Sequence, residues 1–265
     1  MNRFVLTLLV VATLLVSLTA CGPQQPASHL DAIKQAGVIK VGTSADYPPF
    51  ESVDASGNKV GFDIELMTEA AKRLGVKLEW VDMPFDSLIA GVQEGKIDAS
   101  ISAFNYSEER DKVVDFTVAY FTSEDSFTVA EGFTGQVTKP EDVVAYKLGV
   151  QTGTTQDGWI TDNLISTGKI KEENVFRYDR ADQAALDLKS GRIDILMSDY
   201  TPAQALAKQV GGLKIIYHGV LSSGPMNIII PEGDKALAEA MNKIIQQLQA
   251  EGFIDQLAIK HLSGQ

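Results

Sequence analysis

The chain repeats itself, and this restricts its fold more than any other feature. Leu88–Ser102 reads LIAGVQEGKIDASIS and Ala184–Ser198 reads AALDLKSGRIDILMS. Each segment favours a helix, stops at glycine, passes a basic residue and opens a strand with Ile-Asp. A second pair, IKVGTS at Ile39–Ser44 and YKLGVQ at Tyr146–Gln151, precedes the first pair in the same order. One match is within reach of chance, because Gly-Lys-Ile-Asp is a generic helix-to-strand turn. Two in one order predict two lobes of similar topology.

Short apolar runs read as strands buried on both faces: Val38–Thr43, Val76–Met83, Ile97–Ala103, Lys147–Gln151, Ile193–Ser198 and Met226–Pro231. Helical patterns lie between them. Asp63–Leu74 puts Ile64, Met67, Ala71 and Leu74 on one face, and Pro84–Glu94 stops at Gly95. Such alternation predicts an α/β fold with mainly parallel sheets flanked by helices. The first lobe is expected to span residues 30–122 and 223–265, with the second spanning 123–222. The chain would then cross between lobes twice, near Phe121–Ser126 and Ser222–Asn227, through a two-strand hinge. Lobes joined in this way commonly close around a ligand.

Residues 1–20 read as an export signal: Arg3 is followed by an apolar run from Phe4 to Val16 that is too short to favour a spanning helix. The run leads into Leu18-Thr19-Ala20-Cys21-Gly22, which resembles the lipobox of bacterial lipoproteins. That resemblance implies cleavage before Cys21, lipidation of Cys21 and a tether over residues 21–29. An ordinary secretory signal or an uncleaved anchor is the alternative. The expected location is the extracytoplasmic face of the cell membrane, in the periplasm or at the cell surface.

Composition narrows the function. Asp and Glu outnumber Lys and Arg by 35 to 23, which argues against nucleic acid as a partner. One cysteine excludes an internal disulfide, and Cys21, His29, His218 and His261 have no metal-ligand spacing. No metal, no other cofactor and no catalytic residue is expected.

Gly61-Phe62-Asp63-Ile64-Glu65-Leu66, followed by Ala70-Ala71 and Leu74, resembles the signature of the family 3 extracellular solute-binding proteins. Further blocks fit in order: Tyr47-Pro48-Pro49-Phe50-Glu51, Gly95-Lys96-Ile97-Asp98-Ala99, Ser107-Glu108-Glu109-Arg110, Val114-Asp115-Phe116-Thr117, Gly149-Val150 with Gly153-Thr154-Thr155, and Ile193-Asp194 through Asp199. The resemblance implies the two-lobed periplasmic-binding-protein fold. It also implies a monomeric receptor that binds a free L-amino acid and delivers it to the membrane subunits of an ABC importer.

An α-amino acid carries one carboxylate and one ammonium. The first suits a planar bidentate cation, and the second needs a carboxylate partner. By resemblance Arg110 takes the ligand carboxylate, although spacing alone allows a solvated arginine paired with Glu109 or Asp111. Asp199 takes the ammonium at the end of a strand, where open α/β sheets bind ligands, and it also suits the N-cap of the next helix. Thr155 donates to the carboxylate at a helix start, or is a plain cap. Ala103 offers a backbone carbonyl and Asn105 a donor, in place of the family's usual small or hydroxyl residues.

Tyr47 and Phe85 match positions whose rings flank the ligand side chain, whereas Phe50 reads as core. Ser44 stands where several receptors for basic and polar amino acids carry Asp, with Asp46 and Glu51 near it in sequence. Apart from Arg110, no basic residue matches the pocket wall, which disfavours a dicarboxylic ligand. The expected ligand is a polar or cationic L-amino acid. The competing reading is a cyclohexadienyl-dehydratase-like enzyme on the same fold, for which Glu51 or Asp46 would be the general acid. A sensor domain, the third reading, would need a signalling segment beyond Gln265.

Overall fold

The computed structural model describes residues 26–262. The expected signal and Cys21 therefore lie outside the described residues. Helix α1 (His29–Ala36) begins one residue before the expected start of the first lobe. Ser28 caps it, its Oγ accepting the Asp31 N–H at 3.1 Å, so the last two positions of the expected tether belong to this helix and its cap.

Strand β1 (Val38–Thr43) follows, and then a small antiparallel sheet of β2 (Asp46–Tyr47), β3 (Glu51–Val53) and β4 (Lys59–Val60). Helix α2 (Phe62–Leu74) leads to β5 (Lys77–Asp82). It buries Phe62, Leu66, Met67 and Ala70 completely in the core. A 3₁₀ turn at Phe85–Ser87 precedes helix α3 (Leu88–Gln93), so the single helix expected over 84–94 is two pieces. Then come β6 (Ala99–Asn105), β7 (Val114–Phe116) and β8 (Phe121–Thr122).

After a crossing, β9 (Asp125–Ala130), β10 (Leu148–Gln151), α4 (Thr155–Ile160), β11 (Val175–Tyr178), α5 (Ala181–Ser190), β12 (Ile195–Asp199), α6 (Tyr200–Val210) and β13 (Leu213–Gly219) build a second sheet with its helices. The chain then returns through β14 (Pro225–Pro231), α7 (Lys235–Ala250) and α8 (Phe253–Leu262).

The two sheets share one plan. The first runs β5-β1-β6-β14-β7, with β8 also on β14, and the second runs β11-β10-β12-β9-β13. In each, three neighbouring strands are parallel and the fourth, β14 or β9, is antiparallel to them. The fifth is antiparallel to the fourth and so runs with the first three. β6, β10 and β12 are buried along their whole length, as their apolar runs predict. β5 is not: it is an edge strand with alternate residues exposed.

The repeat has a visible physical basis. A Cβ on Gly42 would come within 2.4 Å of Ile97 Cδ1, and one on Gly149 within 2.2 Å of Ile193 Cδ1. Glycine leaves room for the repeat isoleucine to lie across the first strand; any side chain there would force that isoleucine to shift. The repeat aspartates match as well. Asp98 accepts the Lys40 N–H at 2.7 Å, and Asp194 accepts the Lys147 N–H at 2.9 Å.

The two crossings are fastened to each other. Asp125, fully buried, accepts the N–H groups of Leu221, Ser222 and Ser223 at 2.7, 2.7 and 2.9 Å. The Ser222 hydroxyl lies 2.9 Å from the same carboxylate and the Ser223 hydroxyl 2.7 Å.

Candidate functional site

The carboxyl ends of β1, β6, β10 and β12 converge on one cavity between the sheets, with about 300 Å³ of atom-free space including its mouth. The position is the one expected of open α/β sheets. All eight residues singled out from sequence line it: Ser44, Tyr47, Phe85, Ala103, Asn105 and Arg110 from the first sheet's side, and Thr155 and Asp199 from the second's.

Asp199 ends β12 with 3% exposure, and its carboxylate gathers donors from both sides. Tyr47 Oη donates to Oδ2 at 2.8 Å, while Asn105 Nδ2 and Ser123 Oγ reach Oδ1 at 3.1 and 2.5 Å. Ser223 Oγ lies 2.8 Å from Oδ1, and its single proton is shared between Asp199 and Asp125. Burial raises the carboxyl's pKa above its ordinary value of 3.8, and these hydrogen bonds oppose the rise. Asp199 holds the N-cap position of α6, but its side chain makes no cap bond, so its carboxylate is committed to the cavity.

Arg110 follows β6 and is 8% exposed. Its Nη1 donates to the Asn105 carbonyl at 2.7 Å and its Nη2 to the Gly153 carbonyl of the opposite side at 2.8 Å. It is not the solvated arginine paired with Glu109 or Asp111 that spacing alone allows. The guanidinium lies over the rings of Phe85 and Phe104, 5.4 and 5.5 Å from their centroids, and those rings stack at 4.7 Å. Burial lowers its pKa to about 10, against the opposing pull of Asp199 and Glu109, so it stays charged near neutral pH.

Thr155 is the first residue of α4, and the cap is Thr154, whose hydroxyl accepts the Asp157 N–H at 3.2 Å. Gly153 before it has φ 75°, and a Cβ there would come within 3.0 Å of Asp86 Cβ. Glycine thus satisfies both a left-handed backbone and a close approach between the two sides.

The rest of the lining was not singled out as ligand-binding from sequence. Asp46 is 3% exposed and bridges the two sides. Its Oδ1 accepts from Ser44 Oγ at 2.5 Å, and its Oδ2 accepts the Ala181 N–H and, at 3.3 Å, Gln151 Nε2. Burial raises its pKa to about 6, although Ser44, Ala181 and Arg180 favour the charged form. Glu51, Ser102, Gln151, Thr154 and Gln156 complete the wall. Gln151 ends the YKLGVQ block and Ser102 the repeat, so their strand-end positions were the available signal. Gln156 carried none beyond its place after Thr155. Phe50, by contrast, is fully buried core, in edge-on contact with Phe62 and Phe121.

Among the described residues, Arg110 is the one basic side chain lining the cavity, facing the carboxyls of Asp46, Glu51 and Asp199. Such a wall can grip a zwitterion at both ends and has acid to spare for a cation.

Comparison with known proteins agrees with this architecture. A mutant of ArgBP from T. maritima, a protein also solved in an arginine-bound form, superimposes with a TM-score of 0.82 at 39% identity, over 88% of this chain and 99% of that one. The ancestral amino acid-binding protein AncCDT-1, described as a precursor of cyclohexadienyl dehydratase, has a TM-score of 0.79 at 32% identity, over 89% and 100%. A probable histidine-binding protein of Campylobacter jejuni is 31% identical over 265 residues, 98% of this chain and 99% of that one. The family profile described as bacterial extracellular solute-binding proteins, family 3, matches residues 39–264. With its two sheets of matching plan and a cleft between them, this chain belongs to that family.

Proposed function

We propose that the protein is an extracytoplasmic receptor that closes its two lobes, residues 30–122 with 223–265 and residues 123–222, around a polar or cationic L-amino acid and delivers it to an ABC importer. One observation carries this reading: a buried guanidinium and a buried carboxylate, Arg110 and Asp199, enter one cavity from opposite sheets. Arg110 with Thr155 and Asn105 would take the ligand carboxylate. Asp199 with the Ala103 carbonyl would take the ammonium. Tyr47, Phe85 and Ser44 would border the side chain, where the acid of Asp46 favours a neutral polar or positively charged group. The arginine-bound and histidine-binding relatives support that choice.

Closure follows from differential contact: only groups that touch ligand in the closed form and not in the open one shift the equilibrium. In this reading the receptor is a monomer and catalyses nothing. Its Cys21 is lipidated after removal of residues 1–20, anchoring it to the membrane. Cys21→Ser should release soluble or unprocessed protein and abolish lipid labelling; membrane retention of a processed form would count against the anchor.

The deciding experiment is mass spectrometry of ligand released from the denatured purified protein, backed by a thermal-shift screen of the twenty amino acids. A polar or cationic amino acid should raise the melting temperature. Response to dicarboxylic amino acids alone would overturn the side-chain assignment, and response to none would overturn the receptor reading. A second reading, a dehydratase on the same fold, draws on Glu51, whose buried carboxyl is held toward its protonated form as a general acid requires. Conversion of a cyclohexadienyl substrate by the purified protein, lost in Glu51→Gln, would favour it.

A further inference from the structure

Two motifs of the sequence meet behind the cavity. Gly61 has φ 134°, and a Cβ there would lie 2.2 Å from the Phe50 carbonyl oxygen, so only glycine lets α2 start against residues 49–51. The next two N–H groups close the joint: Phe62 N donates to the Pro49 carbonyl at 3.0 Å and Asp63 N to the Phe50 carbonyl at 2.9 Å. This brings the carboxyls of Glu51 and Asp63 together, both with no solvent exposure.

Each carboxyl has one oxygen accounted for by ordinary donors. Glu51 Oε1 accepts from Ser102 Oγ at 2.8 Å. Asp63 Oδ2 accepts the Ala103 N–H and the Tyr120 hydroxyl, both at 2.8 Å. The other two oxygens, Glu51 Oε2 and Asp63 Oδ1, are buried with no ordinary donor. The two carboxyls lie close enough to act directly on each other's protonation. Two carboxylates cannot bond without a proton between them. Asp46 and Tyr47 also face Glu51, and Tyr120 faces Asp63. Among the described residues, no basic side chain is in salt-bridge contact with either carboxyl.

The pair also holds cavity backbone in place. Asp63 fixes the N–H of Ala103, the one non-glycine residue in the left-handed region among the described residues, with φ 47°. Such a conformation persists where its surroundings over-determine it. Glu51 fixes Ser102, whose Oγ in turn accepts the Ser44 N–H at 3.1 Å.

We propose that Glu51 and Asp63 share one proton, and that this neutral-acid-to-carboxylate pair positions Ala103 and Ser44 at the ligand site while withholding Glu51 as a counter-charge. Glu51 is thus a positioning residue, and the cavity's acids available to a ligand cation are Asp46 and Asp199. The ligand-facing part of the inference rests on the receptor reading; the shared proton does not.

The sign of the pH effect follows from burial. Burial first, and then the neighbouring Asp63 charge, raise the Glu51 pKa well above 4.5, and burial raises that of Asp63. The native state therefore retains a proton that the unfolded chain loses, and the pair's contribution to stability falls as pH rises above about 4.5. Glutamine at position 51 would mimic the protonated acid: its amide N–H donates to Asp63 and its carbonyl accepts from Ser102.

The experiment compares Glu51→Gln with Glu51→Ala by three readouts. Infrared spectra of the native protein at neutral pH should contain a protonated-carboxyl carbonyl band that Glu51→Gln removes. The melting-temperature advantage of Glu51→Gln over native should grow as pH is raised from 5 to 8. In amino-acid calorimetry Glu51→Ala should bind roughly 10- to 100-fold more weakly, with Glu51→Gln restoring affinity to within about threefold of native. Glutamine binding as weakly as alanine would mean that an ionised Glu51 grips the ligand, and would overturn the proposal. So would a native spectrum without the acid band. If the native protein binds no amino acid, the receptor reading fails, and the infrared and pH arms still decide the pair. If Glu51→Ala does not fold, the glutamine variant alone decides.

Discussion

The two lobes are alike at the base of their strands and different at the tips. At the base, Asp98 on Lys40 corresponds to Asp194 on Lys147, and along the strands Gly42 under Ile97 corresponds to Gly149 under Ile193. At the tip the repeat runs Ser102-Ala103 in one lobe and Ser198-Asp199 in the other. A left-handed alanine presenting backbone thus sits opposite a buried carboxylate. Parallel pairing and a crossing isoleucine constrain both halves alike. Past the last parallel pairs, Gly42 with Ser100 and Gly149 with Leu196, the strands line the cleft, and there the halves diverge. The shared pattern holds the strands together, and the divergent tips line the cleft.

This contrast can be broken in four places. The largest effect is expected at the tip. Asp199→Ala or Arg110→Ala should weaken amino-acid binding by roughly 30- to several-thousand-fold, the ~2–5 kcal/mol typical of truncating one partner of a desolvated charge pair. Circular dichroism should show a folded protein. Calorimetry within about threefold of native would remove that residue from the site.

Next come the glycines under the repeat isoleucines. Gly42→Val and Gly149→Val should each destabilise by about 1–3 kcal/mol through overpacking against the repeat isoleucine. Denaturant titration should give similar losses in the two lobes. A large loss in one and none in the other would mean that the bases are not equivalent.

The repeat aspartates are expected to matter less. Asp194→Ala should cost about 0.5–1.5 kcal/mol, the worth of a typical hydrogen bond. Asp98→Ala should cost more at low pH, because Asp98 Oδ1 also lies 2.9 Å from His29 Nε2. Equal costs at every pH would break this distinction.

The smallest effect is at His29, which tells the two bases apart. Its Nδ1 lies 2.7 Å from Asp234 and its Nε2 2.9 Å from Asp98, so both ring nitrogens must donate and the ring must be protonated. Burial opposes the charge, but the two carboxylates outweigh it and raise the pKa above 6.5. The stabilisation is therefore complete below pH 6.5 and fades as pH rises through the folded-state value. His29→Ala should lower the melting temperature more at pH 5.5 than at pH 8. A pH-independent change would show that the ring is held neutral.

Much of this was legible in the chain itself. The repeat placed the central strands of both sheets, and the family resemblance named eight residues that line one cavity. The strands that were missed have weaker signatures. β11 is a four-residue edge, and β13 is half exposed over Leu213–Gly219, so neither reads as a buried apolar run. β9 mixes Asp125, Ser126 and Thr128 into its fully buried part, which hides it from a search for apolar stretches. Asp46 and Glu51 could be named from sequence but not assigned. Their partners, Ala181 and Asp63, come from other elements, and the charge state of each depends on burial that only the folded chain creates.

The carboxylate of Asp125 has a mechanical meaning. By fastening three consecutive residues of the returning crossing to the outgoing one, it makes a single torsion bar of what would otherwise be two separate cords. Two cords allow the halves to slide and splay, whereas one bar chiefly twists. In the proposed closure, rotation about this bar would carry Asp199 and Arg110 along one arc, so the rims would meet in the same alignment at every cycle.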